Sequence, residues 1–309
     1  MEDNETENLR KETYVENNAM KSVIETIHKR HSVRNYSGRA IEKEKVHQLS
    51  QYLESNKKGP LGSNVLFRLV DGSAYNKKEL KELGTYGLIH GSPRLFIAGA
   101  VDGNRYGLED YGYCMEKNVL LATGLGLGTC WMGGTLNRSA FALKLLPPHN
   151  WIIPAVTPIG YAEDKKTFKG NAVSFLAGAK KRKCSNELFS DWNINAPLDL
   201  NGCGEFAIVL DCVRWAPSAG NLQPWRILKR DKTFHFFIKE NNTYNNDSFL
   251  RHLIPGVGRK LQNVDMGIAM AHFELAANEL GLRGSWQISE PVLDKGNFKY
   301  IASWGENSL

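Results

Sequence analysis

Cysteine is scarce and unpatterned in this chain of 309 residues. The five cysteines include no Cys-x-x-Cys pair, their number is odd, and the cysteines and histidines show no zinc-ligand spacing. These absences argue against a disulfide framework and against a zinc site. We therefore expect a protein of the reducing cytoplasm that binds no metal.

The sequence also lacks an apolar leader and a convincing membrane span. Residues 1–18 are polar and mostly acidic, so they predict a disordered tail and not a secretory signal. The one long uncharged stretch, residues 118–137, is rich in glycine and threonine. Because glycine costs about 1 kcal/mol in a helix relative to alanine, this stretch predicts a helix that ends in a glycine-rich turn.

The charge is moderately basic, with a net charge of +6 and a pI near 8.9. Such a balance suits a nucleic acid, an anionic membrane surface or an anionic cofactor. The basic runs at 180–183 and 228–232 are short, which is typical of solvated helix ends and turns, although a targeting signal stays an alternative. We expect neither a nucleic-acid partner nor a membrane partner.

A hidden internal repeat is present instead. "GPLGSN" (residues 59–64) resembles "APSAGN" (216–221) at an offset of 157, while "DYGYCM" (110–115) matches "DMGIAM" (265–270) and "GLGTCW" (126–131) matches "GLRGSW" (281–286) at an offset of 155. Three collinear matches at nearly one offset predict two similar halves. We place them at residues 19–189 and 190–309.

Both halves show the same coarse order of elements. Apolar spacing predicts helices at 19–29, 42–56, 107–125, 171–180, 203–213 and 260–280, and strands at 65–70, 93–101, 152–159, 226–230 and 234–238. Because long helices separate the strands without regular βαβ alternation, the pattern predicts an α+β fold in place of a doubly wound sheet.

The halves differ where chemistry is expected. Arg30, Ser32 and Arg34 alternate in the first half, so an extended backbone would put two guanidiniums and a hydroxyl on one face, which suits a phosphate. Their counterparts in the second half, Glu187, Phe189 and Asp191, cannot bind phosphate. Conversely, only the second half keeps the amide-bearing loop "APSAGNLQPW". This complementarity predicts a single site built from both halves.

The stretches "RHSVRNY", "APSAGNLQPWRI", "GLGTCWMGG" and "IGY" followed by "KKR" together resemble the FMN-dependent nitroreductase superfamily, and in particular its single-chain TM nitroreductase branch. That resemblance implies the nitroreductase-like fold, with the two halves fused as an internal pseudo-dimer that replaces the usual pair of subunits. It also implies a monomer with one FMN site between the halves.

The resemblance assigns a role to each motif. Arg30, Ser32, Arg34, Lys180 and Arg182 would hold the ribityl phosphate and the flavin edge. Pro217, Ser218, Ala219, Asn221 and Gln223 would face the isoalloxazine and the ribityl chain. Met132, Gly133 and Gly134 would lie along the ring near N5, where a glycine lets a backbone amide approach closely.

The activity implied by the resemblance is hydride transfer. NADH or NADPH would reduce the flavin at N5, and a nitroaromatic, a quinone or a related acceptor would then oxidise it in a ping-pong cycle. No catalytic side chain is required. A flavin-binding or flavin-storing protein without turnover is the alternative, because the superfamily supports several reactions. We expect Cys130 to be a small buried side chain, and Trp215 and Trp225 to pack the turn against the core.

Overall fold

The structure is a computed structural model that describes residues 22–72, 89–134, 136–163, 181–192, 196–239, 258–291 and 297–306. Its helices are α1 (Val23–Lys29), α2 (Lys43–Ser55), α3 (Gly107–Gly124), α4 (Arg138–Leu145), α5 (Ser185–Leu188), α6 (Phe206–Arg214) and α7 (Gly258–Glu279). Its strands are β1 (Asn35–Tyr36), β2 (Val65–Asp71), β3 (His90–Gly91), β4 (Leu95–Val101), β5 (Gly128–Thr129), β6 (Val156–Gly160), β7 (Phe189–Asp191), β8 (Trp225–Arg230), β9 (Thr233–Lys239), β10 (Gly284–Gln287) and β11 (Phe298–Glu306).

The first sheet is antiparallel, in the order β2, β4, β6, β5. Its central strand β4 is an almost continuous apolar run, and six of its seven residues are buried, as a strand covered on both faces requires. A two-residue parallel ladder between β1 and β3 lies apart from this sheet and fixes the segment that follows Arg34.

The second sheet has the order β10, β11, β9, β8, β7. Its strands are antiparallel except for β7, which pairs in parallel with β8 through Phe189 and Ile227. Strand β7 spans the boundary that we place between residues 189 and 190, so the chain enters the second sheet at that point. The boundary itself stays a prediction.

The two long helices α3 and α7 cross at a pair of glycines. A Cβ added at Gly112 would overlap the carbonyl oxygen of Val264, and one added at Gly267 would overlap the carbonyl oxygen of Glu109. At the offset of 155 found in the sequence, Gly112 corresponds to Gly267 and Glu109 corresponds to Val264, so each glycine contacts the counterpart of the other glycine's partner. Reciprocal contacts of this kind are what a twofold interface produces, so the halves meet as two subunits of a dimer would.

One large cluster of buried apolar side chains takes in both halves, including Tyr111 and Leu121 of α3, Ile268 of α7 and Trp225 of β8. A second cluster lies within the first half, where α4 covers the first sheet through Phe141 and Phe96. No helix in the described ranges has the length and apolar character needed to cross a membrane.

The predicted elements that fall within the described residues are confirmed in kind, with shifts at their ends. The strand expected at 152–159 begins only at Val156, and Ile152 instead makes an isolated bridge with Val101. The helix expected at 171–180 lies outside the described residues. The elements that were not predicted are the strands β1, β3, β5, β7, β10 and β11 and the helices α4 and α5. The α+β class and the arrangement of two similar halves are confirmed.

Candidate functional site

Arg30 occupies the first position after α1 and is buried, with only 7% of its surface exposed. Its Nε lies 4.0 Å from Oε1 of Glu116. Both Nε and Nη1 are buried without a hydrogen-bond partner in the described part of the chain. Burial lowers the pKa of Arg30, the carboxylate of Glu116 opposes this change, and the charge of Arg34 adds to it. A buried cation with open donors is a strong candidate for binding an anion.

Ser32 and Arg34 reach the same place as Arg30, close to Cys130. Ser32 bridges Thr129 in a parallel arrangement, and the amide of Val33 donates to the Thr129 carbonyl at 2.8 Å. Burial raises the pKa of the Cys130 thiol, while Arg34, a hydrogen bond with Ser32, and Arg30 lower it. The three side chains of the alternating triplet therefore all lie near Cys130, which is the small buried side chain that we expected.

Arg182 brings a third guanidinium to this cluster. Burial, followed by the charges of Arg30 and Arg214, lowers the pKa of Arg182 to about 10. Its Nη1 donates to Oδ1 of Asn221 at 3.0 Å and its Nη2 donates to the carbonyl of Trp215 at 3.3 Å. Arg182 thus connects the cations of the first half to the turn of the second half. Lys180, its predicted companion, lies outside the described residues.

The second-half turn closes on the basic segment beside it. Gly220, Asn221 and Gln223 all have positive φ angles, of 58°, 56° and 49°. The Asn221 side-chain amide donates to the Lys181 carbonyl at 2.7 Å, and Oε1 of Gln223 accepts from the Lys183 amide at 2.9 Å. These carboxamides, which we expected to face a flavin, hold the segment that carries Arg182.

The remaining residues of this turn are held by hydrogen bonds to α7 and within the turn itself. The amide of Ala219 donates to Oδ1 of Asp265 on α7 at 2.9 Å, and Oγ of Ser218 accepts from the Gln223 amide at 2.9 Å. Pro217 precedes them and is half-buried. Trp225 is fully buried in the core and Trp215 packs against it, which confirms the expected role of the two indoles.

The turn of the first half that we expected near flavin N5 lies beside α7. Met132 is buried and pairs with Val156 through two backbone hydrogen bonds of 2.9 Å. The Gly133 carbonyl accepts from Arg138 at 3.0 Å, and a Cβ at Gly133 would stand 2.9 Å from a methyl carbon of Leu261. Gly134 follows in the same turn. This turn therefore also lies where the halves meet.

A family model described as "Putative TM nitroreductase" matches residues 22–277. The chain belongs to this family. The crystal structure of a "putative nitroreductase" from Thermotoga maritima superposes on the chain with a TM-score of 0.58 at 20% identity, over 93% of this chain and 94% of that chain. That similarity extends the shared nitroreductase fold to nearly the whole chain. No curated protein matches the sequence.

Further solved structures align with about half of the chain. One, described as a "putative NADH dehydrogenase/NAD(P)H nitroreductase" from Bacteroides thetaiotaomicron, has 22% identity over 47% of this chain and 89% of that chain, with a TM-score of 0.37. Another, described as an FMN-dependent nitroreductase from Clostridium difficile, has 22% identity over 46% of this chain and 88% of that chain, with a TM-score of 0.35.

In this nitroreductase family member, the fully buried carboxylate of Glu116 connects the two halves next to Arg30. Oε2 of Glu116 accepts from the indole of Trp131 at 2.7 Å, and Oε1 lies 3.0 Å from Nε2 of His272. Nδ1 of His272 lies 2.9 Å from the Cys212 carbonyl, which can only accept, so Nδ1 must carry a proton.

The sequence reasoning missed this network. Glu116, which is followed by Lys117, and His272, which lies two residues before Glu274, are ionisable residues in the middle of the two long helices, and both are fully buried. An ionisable side chain at a core position is buried only with partners. That signal was available, whereas the pairing between positions 156 residues apart needed the helix crossing.

Proposed function

We propose that this chain is an FMN-dependent oxidoreductase that takes hydride from NADH or NADPH and delivers it to a nitroaromatic, a quinone or a related acceptor. Its nitroreductase family and fold support this proposal at the level of reaction class. The observation that supports FMN as the cofactor is the buried guanidinium of Arg30. Two of its nitrogens lack hydrogen-bond partners among the described residues, and two further cations lie nearby.

A phosphate fits that cluster chemically. Burying several like charges together is unfavourable unless an anion compensates them, and guanidiniums bind phosphate through paired, charge-assisted hydrogen bonds. In the proposed complex Arg30, Ser32, Arg34 and Arg182 hold the phosphate, with Lys180 as a further candidate. The carboxamides of Asn221 and Gln223 orient Arg182 by fixing the segment around it.

The rest of the proposed site consists of two backbone turns. Pro217, Ser218 and Ala219 border the cofactor from the second half, and Met132, Gly133 and Gly134 border it from the first. When bound, FMN would supply the hydride-transfer chemistry between the nicotinamide nucleotide and the acceptor. The protein orients the reactants and excludes water, and its nearby cations stabilise negative charge.

We further infer that the two halves arose by duplication of an ancestral subunit. The reciprocal glycine contacts of α3 and α7 already provide the interface that a dimer would supply. The chain is therefore proposed to act as a cytoplasmic monomer with one flavin site. A molecular mass near 34.7 kDa in solution, measured by light scattering, is the expected result.

The first test is the flavin itself. The purified protein should bind FMN, lose its visible absorption when NADH or NADPH is added anaerobically, and recover it on addition of a nitroaromatic. A protein without affinity for FMN would refute the proposal. Bound FMN that neither nucleotide reduces would instead support a flavin-binding protein without turnover.

The second test separates the contributions of the halves. Arg34→Ala and Asn221→Gly should each weaken FMN binding, measured by fluorescence titration of the apoprotein, by roughly tenfold or more, as expected for a lost charge-assisted contact. Glycine at position 221 keeps the positive φ. Arg68→Ala, at an exposed arginine of β2, is the matched control and should bind FMN normally. An effect of Arg34→Ala alone would contradict a site shared by both halves.

A further inference from the structure

A second place where the halves meet is a cleft between the region around α4 and the start of α7. Its volume is about 380 Å³, which lies in the range of small-molecule sites. The first half contributes Leu108, Arg138, Ser139, Ala142, Pro147 and 151–154, and the second half contributes Leu261 and Val264. None of these residues belongs to the cation cluster around Arg30.

The walls of the cleft are apolar and include one flat surface. Trp151 provides an indole, while Leu261, Val264 and Ile153 provide aliphatic side chains. Ile152 is 46% exposed, so the cleft is open to solvent at that side. An apolar slot with an aromatic wall favours a planar ring as its ligand.

Arg138 is the charged side chain that lines this cleft. It donates to the carbonyls of Ile153 at 3.0 Å, Gly133 at 3.0 Å and Pro154 at 3.3 Å. Burial lowers its pKa, and within the described ranges no carboxylate forms an ion pair with it. Three carbonyl bonds fix the guanidinium in place, but none of the described carboxylates serves as a counterion for its charge.

We propose that this cleft binds a small aromatic carboxylate. The ring lies against Trp151 and the aliphatic wall, and the carboxylate faces Arg138. Because the guanidinium is already oriented by carbonyls, little conformational entropy is lost when the anion binds. The cleft adjoins Gly133 through both Arg138 and Leu261, but the proposal concerns binding alone and does not depend on the flavin reaction.

The test compares benzoate with benzamide, which has nearly the same shape and no charge. Isothermal titration calorimetry on the intact protein should show saturable binding of benzoate, at least tenfold tighter than that of benzamide. Equal affinities, or no binding of benzoate, would overturn the proposal. This comparison needs no variant, so it remains decisive if a substitution impairs folding.

A matched pair of variants on α4 locates the site. Ala142→Phe fills the cleft and should reduce benzoate affinity at least tenfold, whereas Leu143→Phe changes the neighbouring residue, which is 77% exposed, and should leave the affinity unchanged. Equal affinities in the two variants would place benzoate elsewhere and refute the assignment. Measuring FMN content of the same samples separates failure of this proposal from failure of the proposed function.

Discussion

The two glycine-containing turns, residues 59–64 and 216–223, differ in the hydrogen bonds that they make with the long helix of their own half. In the first half, Asp110 of α3 accepts hydrogen bonds from the amides of Leu61 and Ser63, both at 2.8 Å. In the second half, Asp265 of α7 occupies the corresponding position and accepts only from the Ala219 amide, leaving its Oδ2 buried without a partner in the described structure. The aspartate of the long helix thus accepts two backbone hydrogen bonds from the first turn and one from the second.

This difference matches the divergence in side chains. The turn of residues 59–64 has no carboxamide that reaches across to the other half, whereas the turn of 216–223 uses Asn221 and Gln223 to hold the segment of Arg182. The half that contains Arg30 and Arg34 has the turn with two bonds to its helix, and the other half has the turn that bonds to residues 181–183. The proposed duplication would allow this difference, because the proposed function needs one complete site.

The largest expected effect comes from disrupting the reciprocal glycine contacts between α3 and α7. Gly112→Val and Gly267→Val should each destabilise the protein by more than about 4 kcal/mol or prevent folding, because the new side chain would overlap a backbone carbonyl that cannot move away cheaply. Urea unfolding of both variants tests this. Since the contacts mirror each other, the two losses should be similar.

Gly103→Ala is the matched control for the crossing. Nothing lies within 4 Å of a Cβ built at Gly103, so this substitution should change the free energy of unfolding by less than about 0.5 kcal/mol. A large loss at Gly112 with a small loss at Gly267 would show that the crossing is not symmetric in solution.

The next effect sharpens the comparison between two glutamates that each bind a tryptophan indole. Glu116→Gln should lower the free energy of unfolding by about 3 kcal/mol, because Arg30 then stays buried without its carboxylate. The glutamine can still accept from Trp131 and donate to His272, so the loss reports on charge and not on missing hydrogen bonds.

Glu274→Gln is the matched change in the second half. Trp286 and Tyr113 both donate to Oε2 of Glu274, at 2.8 and 2.5 Å, and a glutamine oxygen can accept both bonds. We expect a loss below about 1 kcal/mol by chemical denaturation. Comparable losses for the two substitutions would contradict the assignment of Glu116 as the counterion of Arg30.

Much of this architecture could be predicted from the sequence because it depends on local patterns. Three features are visible in the sequence itself. They are the apolar run of 95–101, the long helical patterns of 107–124 and 258–279, and the repeat at an offset of 155. The convergence of Arg30, Ser32 and Arg34 could be predicted for the same reason, since alternation in an extended segment determines a face.

The features that could not be predicted depend on distant partners. Asn221 and Gln223 look like ligand-binding amides in the sequence, and only the fold shows their bonds to residues 181–183. Strand β11 carries a weak signal of its own and is formed by its long antiparallel pairing with β9. Pairings of this kind are determined by tertiary packing, which single-sequence propensities do not contain.

The last comparison concerns the two aspartates, Asp110 and Asp265, and depends on pH. Burial, only partly offset by the Ala219 hydrogen bond, raises the pKa of Asp265 from an ordinary value near 3.8 to about 8. Between about pH 4 and pH 8 the folded protein therefore holds a proton that the unfolded chain releases, so this residue's contribution to stability is lost as pH rises through that window. The slope is on the order of 1 kcal/mol per pH unit.

Asp265→Asn should remove that slope, because asparagine keeps the acceptor for Ala219 and resembles the protonated acid without titrating. Unfolding of both proteins in urea at several values between pH 5 and pH 8 should show the natural protein losing stability relative to the variant as pH rises. Asp110→Asn, by contrast, should cost about 2 kcal/mol, because one of two backbone amides loses its acceptor. Parallel stability curves for Asp265→Asn and the natural protein would mean that Asp265 is ionised in the fold, and that the second-half turn is as well satisfied as the first.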